Sequence, residues 1–300
     1  MLMPDYEELV GLKNQTNPQG LGAKAKSHVF GDHASLFKGR GLDFSEFREY
    51  ALGDDIRSID WRVTARMGRP HTKVFMEERE RSVFVIVDVN SYMEFGTRQT
   101  FKSIQAARAA ALLTWSAHTL HDKTGAILFG HIPERIKVLP AKRSRKSIWE
   151  MLKTLCTESQ CANEVNIEDA LAIAGKCIPT GSSIFIISDF FNLNSEFEKQ
   201  LGLLSRRCDV TLVKVNDPAD KNIPQVDEIH FSNGNDNQIL VNTNDLKGAA
   251  LYRQLWQESE TLLTEMAHRY RSKIIRLTTD REVSTDLFRG LNPSLRRKSS

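Results

Sequence analysis

The 300-residue sequence has no run of eighteen or more apolar residues, so no transmembrane helix is expected. It has only four cysteines, Cys156, Cys161, Cys177 and Cys208, with no C-x-x-C pair and no zinc-ribbon spacing. They read as reduced structural thiols of a cytoplasmic protein. Met1–Val10 carries Asp5, Glu7 and Glu8 and no basic residue, whereas a secretory leader needs a positive start and an apolar stretch. Charge of one sign is also lacking: 41 Lys and Arg stand against 38 Asp and Glu. That balance gives no reason to expect nucleic acid or a membrane surface. The basic clusters Lys142–Lys146 and Arg296–Lys298 have too little aromatic interleaving for nucleic acid. No G-x-x-x-x-G-K-[ST] loop exists, so any use of ATP belongs to a partner. Gly39-Arg40-Gly41 follows no apolar strand, and Phe44 stands in the third glycine position of a dinucleotide loop. No G-x-S-x-G elbow appears. His118 and His121, three apart on a predicted helix, have no third metal ligand nearby.

What is present is regular from Ser82 onward. Val83–Val89 is apolar and β-branched, the pattern of a strand buried on both faces. Thr124–Phe129, Ser183–Ile187, Asp209–Val215 and Lys273–Leu277 read the same way, and Ile136–Leu139 as an edge strand ended by Pro140. Between them the sequence predicts helices over Gln99–His121, Ser147–Cys156, Ile167–Lys176, Glu196–Arg206, Thr243–Tyr270 and Val283–Arg289. The long helix carries Leu251, Leu255, Leu262, Met266 and Tyr270 along one stripe. Val226–Phe231 and Gln238–Val241 flank Asn233-Gly234-Asn235 and predict a β-hairpin. Strands alternating with helices imply parallel βαβ units, hence an α/β fold with a doubly wound, mostly parallel sheet.

The rest divides by composition. Residues 1–35 read as a poorly packed lead-in, 36–81 as a charged segment packed on the core, 82–290 as the α/β domain and 291–300 as a basic tail. Residues 38–81 hold ten Lys or Arg and nine Asp or Glu, interleaved with Phe44, Phe47, Tyr50, Ile56, Ile59, Trp61 and Phe75. That mixture suggests a folded layer laced with ion pairs. Arg40, Arg48 and Arg57 among Asp54, Asp55 and other acids suit planar, bidentate pairing. They either pin this layer to the core or form a docking surface. Trp61 is expected as a packing anchor.

In open α/β sheets, ligands gather beyond the carboxyl ends of the strands. Two apolar strands end in aspartates, Asp88 and Asp189. Paired carboxylates there suit a hard divalent cation, or else cap helices and fix loops.

Asp88-Val89-Asn90-Ser91-Tyr92 resembles the first metal loop of von Willebrand factor A domains, D-x-S-x-S, and Ile187-Ser188-Asp189-Phe190 resembles the loop carrying the last aspartate. The resemblance implies a metal site at Asp88, Asn90 and Asp189. The sequence departs from it: Asn90 and Tyr92 replace the two serines, and Val165 or Asn166 aligns with the expected threonine. A phenol would crowd an octahedral Mg2+. The expectation is an inherited fold with a decayed, empty metal site and no cofactor.

A second resemblance rests on more residues. Gly39-Arg40-Gly41-Leu42-Asp43-Phe44-Ser45-Glu46-Phe47-Arg48-Glu49-Tyr50, then Gly53-Asp54-Asp55-Ile56-Arg57-Ser58-Ile59-Asp60-Trp61 and Thr64-Ala65-Arg66, resemble the signature of the bacterial domain-of-unknown-function 58 family. The likeness covers residues 35–290. It implies a von Willebrand factor A-like fold and a MoxR-type AAA+ ATPase partner. The start so near the signature implies the short soluble form, without an integral membrane segment.

The sequence therefore predicts an interaction or adaptor module, not an enzyme, acting with that ATPase on other protein complexes. Asp88, Asn90, Tyr92 and Asp189 are the first contact surface, and Arg40, Arg48, Asp54, Asp55 and Arg57 the second. The alternatives are a metal-dependent hydrolase and a stand-alone metal-mediated adhesion module, both using Asp88 and Asp189.

Overall fold

Along the segment Val83–Val87, successive side chains enter two different cores. Val83, Val85 and Val87 pack on one side, Phe84 and Ile86 on the other. This is the two-residue period of a strand with both faces covered. The computed structural model describes residues 3–17, 42–51, 54–77, 82–157, 164–191, 193–224, 227–232 and 238–292. The chain forms two units, one of residues 27–80 and one of residues 1–26 with 81–300.

In chain order, the elements are α1 (Tyr6–Gly11), β1 (Leu42–Glu49), α2 (Trp61–Met67), β2 (His71–Glu77), β3 (Ser82–Val89), α3 (Lys102–Thr119), β4 (Lys123–Gly130) and β5 (Ile136–Lys142). They continue with α4 (Arg145–Leu155), α5 (Ile167–Cys177), β6 (Ser183–Ser188), α6 (Ser195–Ser205), β7 (Asp209–Asn216) and α7 (Pro218–Lys221). Last come β8 (Glu228–Ser232), β9 (Gln238–Asn242), α8 (Leu246–Arg269), β10 (Lys273–Thr278) and α9 (Val283–Leu291).

In the larger unit the sheet order is β10-β7-β6-β3-β4-β5. All neighbours are parallel except β4 and β5. One face is covered by α1, α3, α4 and α9 through residues such as Leu9, Leu112, Met151 and Leu287. The other is covered by α5, α6 and the end of α8 through Leu171, Phe197 and Leu263. The predicted doubly wound, mostly parallel sheet is the observed one. The hairpin β8–β9 is antiparallel, and its turn lies outside the described residues.

Several expectations need correction. The edge strand does not end at Pro140 but runs through it to Lys142. An edge position tolerates a residue without an N–H. Helix α3 begins at Lys102, because Phe101 is extended (φ −87, ψ 158), and ends at Thr119. His121 adopts φ 61 beyond that end and so shares no helix face with His118.

The lead-in is packed over part of its length. Asp5 caps α1 through Glu8 N, Leu9 is fully buried, and Trp115 Nε1 donates to Leu9 O at 3.1 Å. Arg108 pairs with Glu8 at 2.6 Å. Residues 18–35 lie outside the described residues.

The predicted apolar stripe of α8 is largely on the surface. Leu251, Leu255 and Leu262 are exposed, and Leu263, Met266 and Ala267 are buried. The helix turns its adjacent face inward.

The smaller unit pairs β1 with β2 antiparallel, with α2 between them in sequence. Asp60 caps α2 through the N–H groups of Arg62 and Val63, and Gly68 ends it at φ 72. Such a left-handed C-terminal position suits glycine. Trp61, predicted as an anchor, is 68% exposed, and Ile56 and Met67 are exposed as well.

Candidate recognition site at the sheet rim

Strands β3, β6 and β7 deliver Asp88, Ser188-Asp189 and Asp217 to the carboxyl edge of the sheet, where parallel strands open toward ligands. Asp88 and Asn90 are fully buried, and Asp189 nearly so.

Both oxygens of Asp88 are fully engaged. Oδ1 accepts from Asn90 N at 3.1 Å and Asn90 Nδ2 at 2.8 Å. Oδ2 accepts from Tyr92 Oη at 2.7 Å and Ser188 Oγ at 2.6 Å. Burial, with repulsion from Asp189, still raises the Asp88 carboxyl from 3.8 to about 7, against the pull of those donors. Burial and the same two carboxylates push the Tyr92 phenol well above its usual range, so it remains a neutral donor.

The Asn90 amide is fixed by two-point pairing with one residue. Its Oδ1 accepts from Val165 N at 2.8 Å and its Nδ2 donates to Val165 O at 3.0 Å. Nδ2 therefore faces Asp88 and Tyr92, the latter at 3.0 Å. Where a metal-binding loop would offer a threonine hydroxyl, this chain supplies the backbone of Val165. Gly130 (φ 120) makes the close approach possible: a Cβ there would lie 2.5 Å from Asn90 N.

Asp189 faces a cation that belongs to the chain. Lys102 Nζ is 3.3 Å from Asp189 Oδ2 and 2.9 Å from Asp220 Oδ1. It also lies 5.4 Å from the centroid of the Phe95 ring. Burial alone would lower the lysine's pKa, but the two carboxylates outweigh it and raise the pKa. Asp189 Oδ1 accepts from Phe191 N at 3.2 Å.

Asp217, at the end of β7, accepts from Thr97 N at 2.9 Å, from Thr97 Oγ1 at 2.5 Å and from Thr279 Oγ1. With Asp220 it forms a capping box on α7. The loop after β3, the end of β10 and α7 are thereby tied together.

The donor set does not fit an octahedral cation. Mg2+ asks for oxygens at about 2.1 Å with free lone pairs. Those of Asp88 are filled by donors, the Asn90 oxygen points to Val165, and Lys102 holds Asp189. No cluster of three or more His, Cys, Asp or Glu suited to a metal occurs among the described residues.

The rim instead presents aromatic rings. Tyr92 is 38% exposed while its hydroxyl is anchored. Phe190 adopts φ 51 and is buried edge-on against Phe197, with ring centroids 6.0 Å apart. This reversal leaves Phe191 60% exposed beside Asp189.

Asp88, Asn90, Tyr92 and Asp189, the first predicted surface, thus gather at one rim. Lys102, Ser188, Asp217 and Asp220 were missed. A signal existed for Lys102, since a basic residue opening a helix opposes the helix dipole and implies a nearby anion. The second set lies in the smaller unit. Arg48 pairs with Asp54 at 2.6 Å, Asp54 also accepts from Ala51 N at 3.0 Å, and Asp55 caps Arg57 N at 3.0 Å. Arg40 lies outside the described residues.

These features define a doubly wound α/β protein whose strand-end carboxylates are closed off by its own side chains. The chain belongs to the family described as protein of unknown function DUF58, whose model matches residues 46–261. It is 32% identical over 205 residues to uncharacterized proteins of Mycobacterium bovis and Mycobacterium tuberculosis, covering 67% of this chain. The chain spans 63% of the length of these curated relatives. Similar solved structures include the conserved hypothetical protein BatB from Bacteroides thetaiotaomicron. Identity is 18% and the TM-score 0.46, over 73% of this chain and 100% of that one. Another is a von Willebrand factor type A protein from Catenulispora acidiphila, with 9% identity and a TM-score of 0.40, over 74% of this chain and 43% of that one.

Proposed function

We propose that this chain is a non-catalytic recognition module that binds a partner protein at the sheet rim without a metal ion. The observation that carries the reading is the saturation of Asp88 by Asn90, Tyr92 and Ser188. A carboxylate so engaged coordinates no ion without dismantling its surroundings. What remains accessible is the Tyr92 and Phe191 pair, and aromatic residues dominate protein interfaces.

The partner class we favour is a MoxR-type AAA+ ATPase, encountered in the cytoplasm. The choice rests on what the signature resemblance of residues 39–66 implies, and the sequence has no G-x-x-x-x-G-K-[ST] loop of its own. No helix among the described residues is long and apolar enough to cross a membrane. The smaller unit supplies the second contact surface. Its Arg48, Asp54 and Asp55 hold the unit's own loops, so Ile56, Trp61 and Met67 with Arg57 make the contact.

The test is affinity capture with the full chain as bait, wild type beside Phe191→Glu and Trp61→Glu. Recovery of an AAA+ ATPase by wild type and its loss with Phe191→Glu supports the reading. Recovery that is insensitive to Phe191→Glu and abolished by EDTA defeats the rim assignment. Absence of any ATPase from the wild-type capture defeats the partner class.

A further inference from the structure

Three segments distant in sequence, the first of them contributing both Phe95 and Lys102, meet around one ammonium group. Phe95 comes from the loop after β3, Lys102 from the first turn of α3, Asp189 from the end of β6 and Asp220 from α7. The side chain of Lys102 is 6% exposed, that of Asp189 10%.

This is an unfavourable place for a lysine. The N-terminus of a helix carries partial positive charge, and a buried ammonium loses its hydration. Two carboxylates and one aromatic face compensate for both. Asp189 and Asp220, with the ammonium removed, would hold an uncompensated negative charge of the kind that divalent cations neutralise.

We propose that Lys102 is a tethered cation that permanently occupies the position a dissociable divalent ion would otherwise take at this rim, clamping the loops after β6 and β7 together. A covalently attached charge cannot diffuse away, so the rim loops hold one arrangement at any ion concentration. The inference does not depend on whether the rim binds a protein.

Thermal melts of the full chain test it, with wild type beside K102M and K102M/D189N/D220N. Each is measured in EDTA and in millimolar Mg2+, Mn2+ and Ca2+. The two asparagines keep an oxygen for the bonds to Phe191 N and Asp217 N. Wild type is expected to melt at one temperature throughout. K102M is expected to melt lower in EDTA and to regain part of the loss with at least one ion. The triple variant is expected to ignore the ions and to melt above K102M in EDTA. If K102M does not fold, recovery of folded triple variant supports the clamp. Failure of both overturns it, because the lysine's stem rather than its charge would then matter. A K102M melt blind to every ion overturns it, as does a wild-type shift as large as the variant's.

Discussion

The hydroxyl of Tyr92 donates to Asp88 Oδ2 at 2.7 Å, so the half-exposed ring is held at the rim by its own phenol. Tyr92→Phe removes one of four donors from a buried carboxylate. The loss should cost about 1.5–3 kcal/mol of stability, the range for one hydrogen bond to a charged group. Urea denaturation measures it. A change below about 0.5 kcal/mol would mean that Ser188 and Asn90 suffice.

Asp88 should also make stability depend on pH. Its carboxyl is raised from 3.8 to about 7, by burial first and then by Asp189. The folded protein therefore holds this proton more tightly than the unfolded chain. The stabilisation is complete below the unfolded value and is lost as pH rises from about 4 to about 7. Its full size is of order 4 kcal/mol. Asp88→Asn should flatten that part of the stability profile, and an unchanged slope would assign the titration elsewhere.

Gly130→Ala should disturb the same loop from below. A methyl group at φ 120 meets Asn90 N at 2.5 Å and Val89 C at 2.7 Å, backbone atoms that cannot rotate aside. A loss of about 1–3 kcal/mol is expected from the strained conformation alone. Loss of stability with an unmoved Asn90 side-chain amide resonance would separate strain from displacement.

The two neighbouring leucines of α8 should behave oppositely. Leu263 is fully buried, so Leu263→Ala should cost about 2–5 kcal/mol. Leu262 is exposed, so Leu262→Ala should stay within about 0.5 kcal/mol. Equal losses would place both leucines in a core.

That pair also shows where the sequence stops being legible. The runs at Val83–Val89 and Ser183–Ile187 are too short and too β-branched for buried helices, so the sheet and its rim aspartates follow from pattern. In α8 two apolar faces lie side by side, and periodicity does not say which one the sheet covers. The helix spans about 36 Å, whereas the six-residue strand β10 spans about 20 Å. Its first half therefore outruns the core, and its first buried residue among those described is Leu263. Helix α1 escaped because six residues hold too few turns to show a period. Lys102 and Asp189 are 87 residues apart, and nothing local joins them.

Strand β5, at one margin of the sheet, contains Pro140 between Lys137 and Lys142. Proline withholds a ladder donor, and outward charges discourage a foreign backbone from zipping on. That margin is poorly suited to β-augmentation or amyloid-like stacking. On that side of the sheet a partner is steered toward the neighbouring loops and helices.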